Sequence, residues 1–422
     1  MKLTSLLRAM LTRSFRPFLF ESDGDPVLEY GDAERLGLYV HIPFCRSICG
    51  FCPYCKTVYE KERSRRYLEA LLAEIRRVGE MGKGRREVTS LYFGGGTPAL
   101  MADELGLITG ELKRWFDIGG QIGAELHPED VTVETLEKLK AAGVTMLSIG
   151  IQSFQRDSLE RLGRTEPPAK AIAKALRQVP FESVSMDLIF ALPGQTADRL
   201  KEDIRTAFEL GADQIAAYPF IDFTFADNEY RPVPEREKKR MLREITDYCR
   251  ELGCVRTSVW TFGKPGKPKY SSMTREQFLG FGPSAATLLS DQFKINTFDL
   301  ESYIARTAAE DLPTALTLRF TGRQRMIYHL FWEAYTTEVD PDNFQRLFAR
   351  RLEDCFGWEL ILCRLLGLAK KEPKKDRPGH VYRMTGRGAY YYHFIEQYYT
   401  LSYIDRMWNV LGREPFPKEL RM

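Results

Sequence analysis

Tyr39-Val-His-Ile-Pro-Phe-Cys45-Arg-Ser-Ile-Cys49-Gly-Phe-Cys52-Pro-Tyr-Cys55 gathers four of the chain's eight cysteines into eleven residues. The other four, Cys249, Cys254, Cys355 and Cys363, are scattered. A disulfide framework would not crowd half its thiols into one loop of so long a chain; crowding of this kind points to metal. Cys45, Cys49 and Cys52 form C-x3-C-x2-C, which can offer three thiolates to separate irons of a [4Fe–4S] cluster and leave one iron open. Cys52 and Cys55 are themselves a C-x2-C, so a four-cysteine zinc or closed electron-transfer site competes with that reading. Either requires reduced thiols, and hence a reducing compartment, the cytoplasm.

Outward from this loop, short β-rich runs alternate with amphipathic helical stretches as far as residue 262. The runs are 36–42, 88–93, 121–126, 145–151, 183–190 and 213–220, with an edge strand expected at 255–262. Between them, Leu68, Leu71, Leu72, Ile75 and Val78 share one helical face in 65–81. Helical stretches at 134–142, 198–210 and 235–252 are followed by Gly143, Gly211 and Gly253, the expected stop residues. Repeated βα units with apolar strands predict a parallel sheet of the α/β class, open or closed as a partial barrel.

In such sheets ligands sit at the C-terminal ends of the strands. The cysteine loop follows the first strand and GGGTP (94–98) the second. Glu125 closes the third, Gln152 ends the fourth, Asp187 lies in the fifth, and Tyr218 is near the end of the sixth. Polar or glycine-rich chemistry thus falls at nearly every strand end.

The combination YVHIPFCxxxCxFC with GGGTP resembles the radical S-adenosylmethionine (SAM) proteins of the oxygen-independent coproporphyrinogen III oxidase-like group, over about residues 37–287. The resemblance implies a partial parallel (β/α)6 barrel. It assigns Cys45, Cys49 and Cys52 to the cluster, whose open iron chelates SAM, and implies cleavage of SAM to a 5′-deoxyadenosyl radical. Phe51 matches an aromatic that packs on adenine, and Tyr39 a tyrosine near the methionyl group. Gly95, Gly96 and Thr97 match a turn whose bare backbone approaches the SAM amino group, where a Cβ would collide. Glu125 matches a ligand of the ribose hydroxyls. Gln152, Arg164 and Asp187 match polar residues that in the oxidase contact a second SAM. LGFGPSAAT (279–287) matches a glycine-rich segment lining the same cavity. A one-electron donor such as flavodoxin or ferredoxin is implied as partner.

Three functions stay open. The first is a radical enzyme acting on a porphyrin or other large conjugated substrate, by hydrogen abstraction with decarboxylation or rearrangement. The second is a two-SAM methyltransferase or C–C bond-forming enzyme, and the third a non-catalytic heme carrier. Against the third, relatives of chaperone character carry H-N-x-x-Y-W before the LGxG run, whereas Lys269–Phe278 here contains no histidine. His41 reads as a packed strand-end residue. His329, His380 and His393 have no visible partners.

After about residue 310 the alternation stops. Helices are expected at 322–335, 342–353 and 357–366. A hairpin with its tip in 370–379 and an aromatic helix over 390–408 follow, as in a winged-helix-like domain. The expected division is an N-terminal extension (1–36), a radical SAM domain (37–305) and a smaller helical C-terminal domain (306–422). A net charge of +3 implies no general attraction to nucleic acid or anionic lipid. No apolar run approaches the ~20 residues of a membrane span. The basic first segment, without an acid before Glu21, fits a presequence, a membrane-surface helix or a helix docked on the domain.

Overall fold

The computed structural model describes residues 3–22, 27–31, 33, 35–82, 84–225, 230–269 and 276–422. Six strands run parallel and adjacent in chain order: β1 (Leu36–Ile42), β2 (Arg86–Gly95), β3 (Phe116–Leu126), β4 (Met146–Gln152), β5 (Ser183–Phe190) and β6 (Gln214–Pro219). Helices α1 (Lys61–Glu80), α2 (Leu105–Trp115), α3 (Val133–Ala141), α4 (Ala169–Gln178) and α5 (Ala197–Leu210) make the crossovers, and α6 (Glu235–Glu251) follows β6. Nearly every residue of β1 and β5 is buried, as strands covered on both faces require. The expected glycine stops are real: Gly143, Gly211 and Gly253 all have positive φ at helix ends.

The parallel set does not close on itself. A strand at Gln277–Phe281 adds in parallel beside β1, and Thr261–Gly263 adds antiparallel beside β6. The edge strand expected at 255–262 is therefore a short hairpin, Val255–Arg256 with Thr261–Gly263. Beyond Gln277–Phe281 the sheet continues antiparallel through Ala286–Leu288, Gln292–Asn296 and Thr314–Arg319. It ends on two three-residue strands from opposite ends of the chain, Leu19–Glu21 and Glu419–Arg421. The basic first segment is thus docked: its helix Leu3–Thr12 is held by a bond from Arg8 Nη1 to the carbonyl of Met422 (2.6 Å).

The C-terminal region has helices Gly322–Tyr335, Pro341–Phe348 and Leu352–Leu365, then the hairpin Ala369–Pro373 with His380–Met384. Two helix boundaries differ from expectation. Ala349 turns left-handed at φ 51° and ends one helix early, and the next helix is kinked at Phe356. The aromatic helix begins at Gly386 and passes through a π segment, Thr400–Ile404, into Asp405–Leu411. Among the described residues, no helix is long and apolar enough to cross a membrane.

Candidate metal centre and cofactor cleft

The cysteine loop is closed at its base. Phe44–Cys45 pairs with Thr57–Val58, and Tyr59 N–H donates to the Cys45 carbonyl (2.8 Å). The GGGTP turn is laid directly on it: Gly96 N–H donates to the Ile42 carbonyl (2.8 Å) and Thr97 N–H to the Phe44 carbonyl (2.7 Å). Gly95 has φ +119°, and a Cβ there would stand 2.8 Å from the Ile42 carbonyl oxygen. At Gly96 it would stand 2.5 Å from the Phe44 carbonyl oxygen and 2.9 Å from Cys45 Sγ. Both glycines are needed by the approach of the chain's own cysteine loop, a reason independent of any ligand.

Two cysteines are met by donors from the loops that follow other strands. Thr97 Oγ1 lies 3.9 Å from Cys45 Sγ, and Arg164 Nη1 3.6 Å from Cys49 Sγ. Arg164 Nη2 also donates to the Gly150 carbonyl at the end of β4 (2.8 Å). Burial pushes the Cys45 thiol up to about 11 and raises Cys52 as well. Lys56 Nζ donates to the Cys52 carbonyl (2.6 Å). Cys55 points elsewhere: its Sγ donates to the Phe298 carbonyl (3.1 Å), and burial lifts its thiol to about 12. Among the described residues no three Cys, His, Asp or Glu side chains converge on a single ion site. A cluster taking one thiolate on each of three irons does not ask them to.

Glu125 is tied to the turn. Its carboxylate accepts from Tyr92 Oη (2.8 Å) and from Gly95 N–H (3.0 Å), while burial raises it to about 7. Asp187 accepts from Ser148 Oγ (2.9 Å) and is likewise raised to about 7 by burial, with the charge of Glu125 adding to the effect. Tyr39 stacks on Tyr92 with ring centroids 6.2 Å apart, and its hydroxyl meets His41 Nδ1 (3.0 Å). Phe51 packs on Leu162, Ile189, Leu192 and Phe220. Gln152 ends β4 in the left-handed region at φ 69°, a conformation that is costly for a residue with a side chain. Tyr39, Cys45, Gly95, Gly96, Thr97 and Glu125 therefore stand together on β1–β3. Arg164 joins Cys49 of the same loop to the Gly150 carbonyl near the end of β4.

His41 is the packed residue its position implied: Nε2 faces the Cys55 carbonyl (2.8 Å), and burial lowers it to about 4. His393 and His380 do have hydrogen-bond partners, and buried His329 has only a carboxylate nearby. Trp260 Nε1 donates to His393 Nδ1 (3.0 Å), His380 Nε2 meets Glu353 (2.8 Å), and His329 Nε2 lies 3.4 Å from Glu333. The run LGFGPSAAT packs against the end of β1. A Cβ at Gly282 would stand 2.5 Å from the His41 carbonyl oxygen, and Gly282 N–H donates to buried Glu74 (2.8 Å). Within the stretch Lys269–Phe278, residues 270–275 lie outside the described residues. Sequence reasoning missed Tyr92 and Ser148, which orient the two carboxylates, and the ion pair of Arg46 in the cysteine loop with buried Asp130. For Tyr92 a signal existed: it lies two residues before Gly94 on an alternating strand.

A model of the radical SAM superfamily matches residues 39–207. The heme chaperone HemW of Bacillus subtilis (strain 168) is 29% identical over 337 residues, 75% of this chain and 88% of that protein. HemW of Lactococcus lactis is 30% identical over 267 residues, 60% of this chain and 69% of its own length. In structure, coproporphyrinogen III oxidase (HemN) from Escherichia coli superposes with a TM-score of 0.75 at 22% identity, covering 93% of this chain and 98% of that one. Proteins named oxygen-independent coproporphyrinogen III oxidase are also similar in sequence. The chain belongs to the radical SAM superfamily, in the group that holds these oxidases and the HemW chaperones. A [4Fe–4S] cluster and SAM are the cofactors that this family implies. The loop suits such a cluster: three thiols on one closed loop, two with hydrogen-bond donors, and no side chain at position 96 to crowd Cys45.

Proposed function

We propose that the chain is a radical SAM enzyme that abstracts hydrogen from a tetrapyrrole or other large conjugated substrate, leading to decarboxylation or rearrangement. The observation that carries this reading is the contact between the GGGTP turn and the cysteine loop, with Thr97 and Arg164 on Cys45 and Cys49 and with Cys55 turned away. When bound, the cluster and SAM would supply one-electron cleavage to a 5′-deoxyadenosyl radical.

In this reading Cys45, Cys49 and Cys52 hold the cluster. Thr97 and Arg164 donate to sulfur and stabilise the thiolate form, which is the form that ligates. Glu125 fixes the turn through Gly95 and keeps free lone pairs for hydroxyl donors. Tyr39 and Phe51 give apolar walls, and Gln152, Arg164 and Asp187 line the far side for one or two SAM molecules. Asp187 and Glu125, both near 7, can each hold or release a proton around neutral pH. The electron comes from a donor such as flavodoxin or ferredoxin, and residues 306–422 form a substrate wall beside the 37–305 domain, with 1–36 as an extension.

The HemW relatives favour a second reading, a heme carrier. Anaerobic incubation of the reconstituted protein with dithionite and methyl-deuterated SAM separates the readings. Formation of 5′-deoxyadenosine is expected, and deuterium carried to a trial substrate would mean methyl transfer instead. An intact cluster that never cleaves SAM, together with stoichiometric heme binding, would leave the carrier.

A further inference from the structure

Helix Leu352–Leu365 carries an apolar stripe that nothing else in the described chain covers. Trp358 and Leu365 are each 80% exposed, and Ile361, Leu362 and Leu366 are 45–51% exposed. Their spacing of three, four, seven and eight residues puts them on one helical face. On the N-terminal helix, Leu6 and Met10, four residues apart, are also exposed, and Phe15 follows at 83%. Arg323 ties the two helices together. Its Nε donates to the Leu11 carbonyl (2.6 Å), Nη1 to the Cys355 carbonyl (3.1 Å) and Nη2 to Glu359 Oε1 (2.9 Å).

Charge at this end is one-sided, although the whole chain is near neutral. Arg13, Arg16, Arg351, Arg364, Lys370 and Lys371 are exposed and have no ion-pair partner among the described residues. A cavity of about 500 Å³ joins Ile361 and Leu365 to Arg364, Lys370 and Lys371. Its one acid, Glu372, is taken by Arg383 (3.0 Å). The exposed acid of the helix, Asp354, lies in its first turn, ahead of the kink at Phe356. A tryptophan and leucines flanked by cations match a lipid interface, where the apolar side chains enter the headgroup boundary and the cations meet phosphate.

We propose that this end of the molecule docks on an anionic lipid bilayer, with Trp358, Leu365 and Met10 entering the interface and Arg364, Lys370 and Lys371 binding lipid phosphates. The proposal is independent of the cofactor reading, because none of these residues lies in the cleft. The test is flotation of the full chain with vesicles of phosphatidylcholine, alone or mixed with phosphatidylglycerol, with tryptophan emission read in parallel. Trp358 is the one exposed tryptophan of five, so its emission should shift to the blue on anionic vesicles and not on neutral ones. Trp358→Phe should lose the shift and keep binding. Trp358→Glu with Leu365→Glu should weaken flotation at least about tenfold while circular dichroism shows an intact fold, and salt should weaken binding of the wild type. Absence of flotation at low salt would overturn the proposal, as would flotation indifferent to the double substitution. A dimer that the double substitution splits, without vesicle binding, would assign the stripe to a second copy of the chain instead.

Discussion

Replacement of Gly96 by alanine tests the central contact of the site. The added Cβ would lie 2.5 Å from the Phe44 carbonyl oxygen and 2.9 Å from Cys45 Sγ, against an ordinary contact of 3.4 Å or more. The obstacle is backbone, so the cysteine loop and the turn must separate by close to 1 Å. That movement strains the bonds Thr97 N–H to Phe44 (2.7 Å) and Gly96 N–H to Ile42 (2.8 Å). Overpacking of this kind costs about 1–3 kcal/mol. The assay is urea unfolding of the metal-free chain, with iron per chain measured after anaerobic reconstitution. Gly96→Ala should lower the midpoint at unchanged slope and reduce iron uptake. Gly106→Ala serves as control: this glycine sits in α2 with nothing within 4 Å of a new Cβ. There alanine should gain roughly 0.5–1 kcal/mol from helix propensity. Full iron and native stability in Gly96→Ala would refute the idea that the loop and turn are in forced contact.

Cys45→Ala, Cys49→Ala and Cys52→Ala should each abolish the cluster, whereas Cys55→Ser should keep the iron stoichiometry; iron loss in the Cys55 variant would mean that its bond to Phe298 is not its resting place. Arg164→Ala should assemble the cluster yet bind SAM roughly tenfold or more weakly, since a hydrogen bond from a charged group contributes about 1.5–3 kcal/mol; equilibrium dialysis with unchanged affinity would remove Arg164 from the cleft. Burial raises Glu396 from 4.5 to about 8, so between those values the folded chain holds a proton that the unfolded chain has lost. Stability should therefore fall as pH rises through that window, and Glu396→Gln should flatten the slope in chemical unfolding measured across it; parallel curves for the two proteins would show that Glu396 ionises freely.

The carboxylates of the cleft illustrate what alternation can and cannot say. The β-rich runs set Glu125 at the end of the third strand and Asp187 within the fifth, where they are found. They said nothing of Tyr92 and Ser148, the groups that hold them, because cross-strand partners depend on register between strands. The glycines of GGGTP were legible as a tight turn. Only the assembled loop gives the reason for them, the backbone of Ile42 and Phe44 passing within van der Waals distance.

Sequence by itself determined the six parallel strands, the glycine helix stops and the cysteine loop, because each is written in residues near one another in the chain. Tertiary structure alone decided that Cys55 turns to Phe298, that His380 and His393 have partners, and that Leu19–Glu21 and Glu419–Arg421 finish the same sheet. A three-residue strand buries too little surface to carry a pattern of its own, and its place is set by pairing with a segment about 400 residues away.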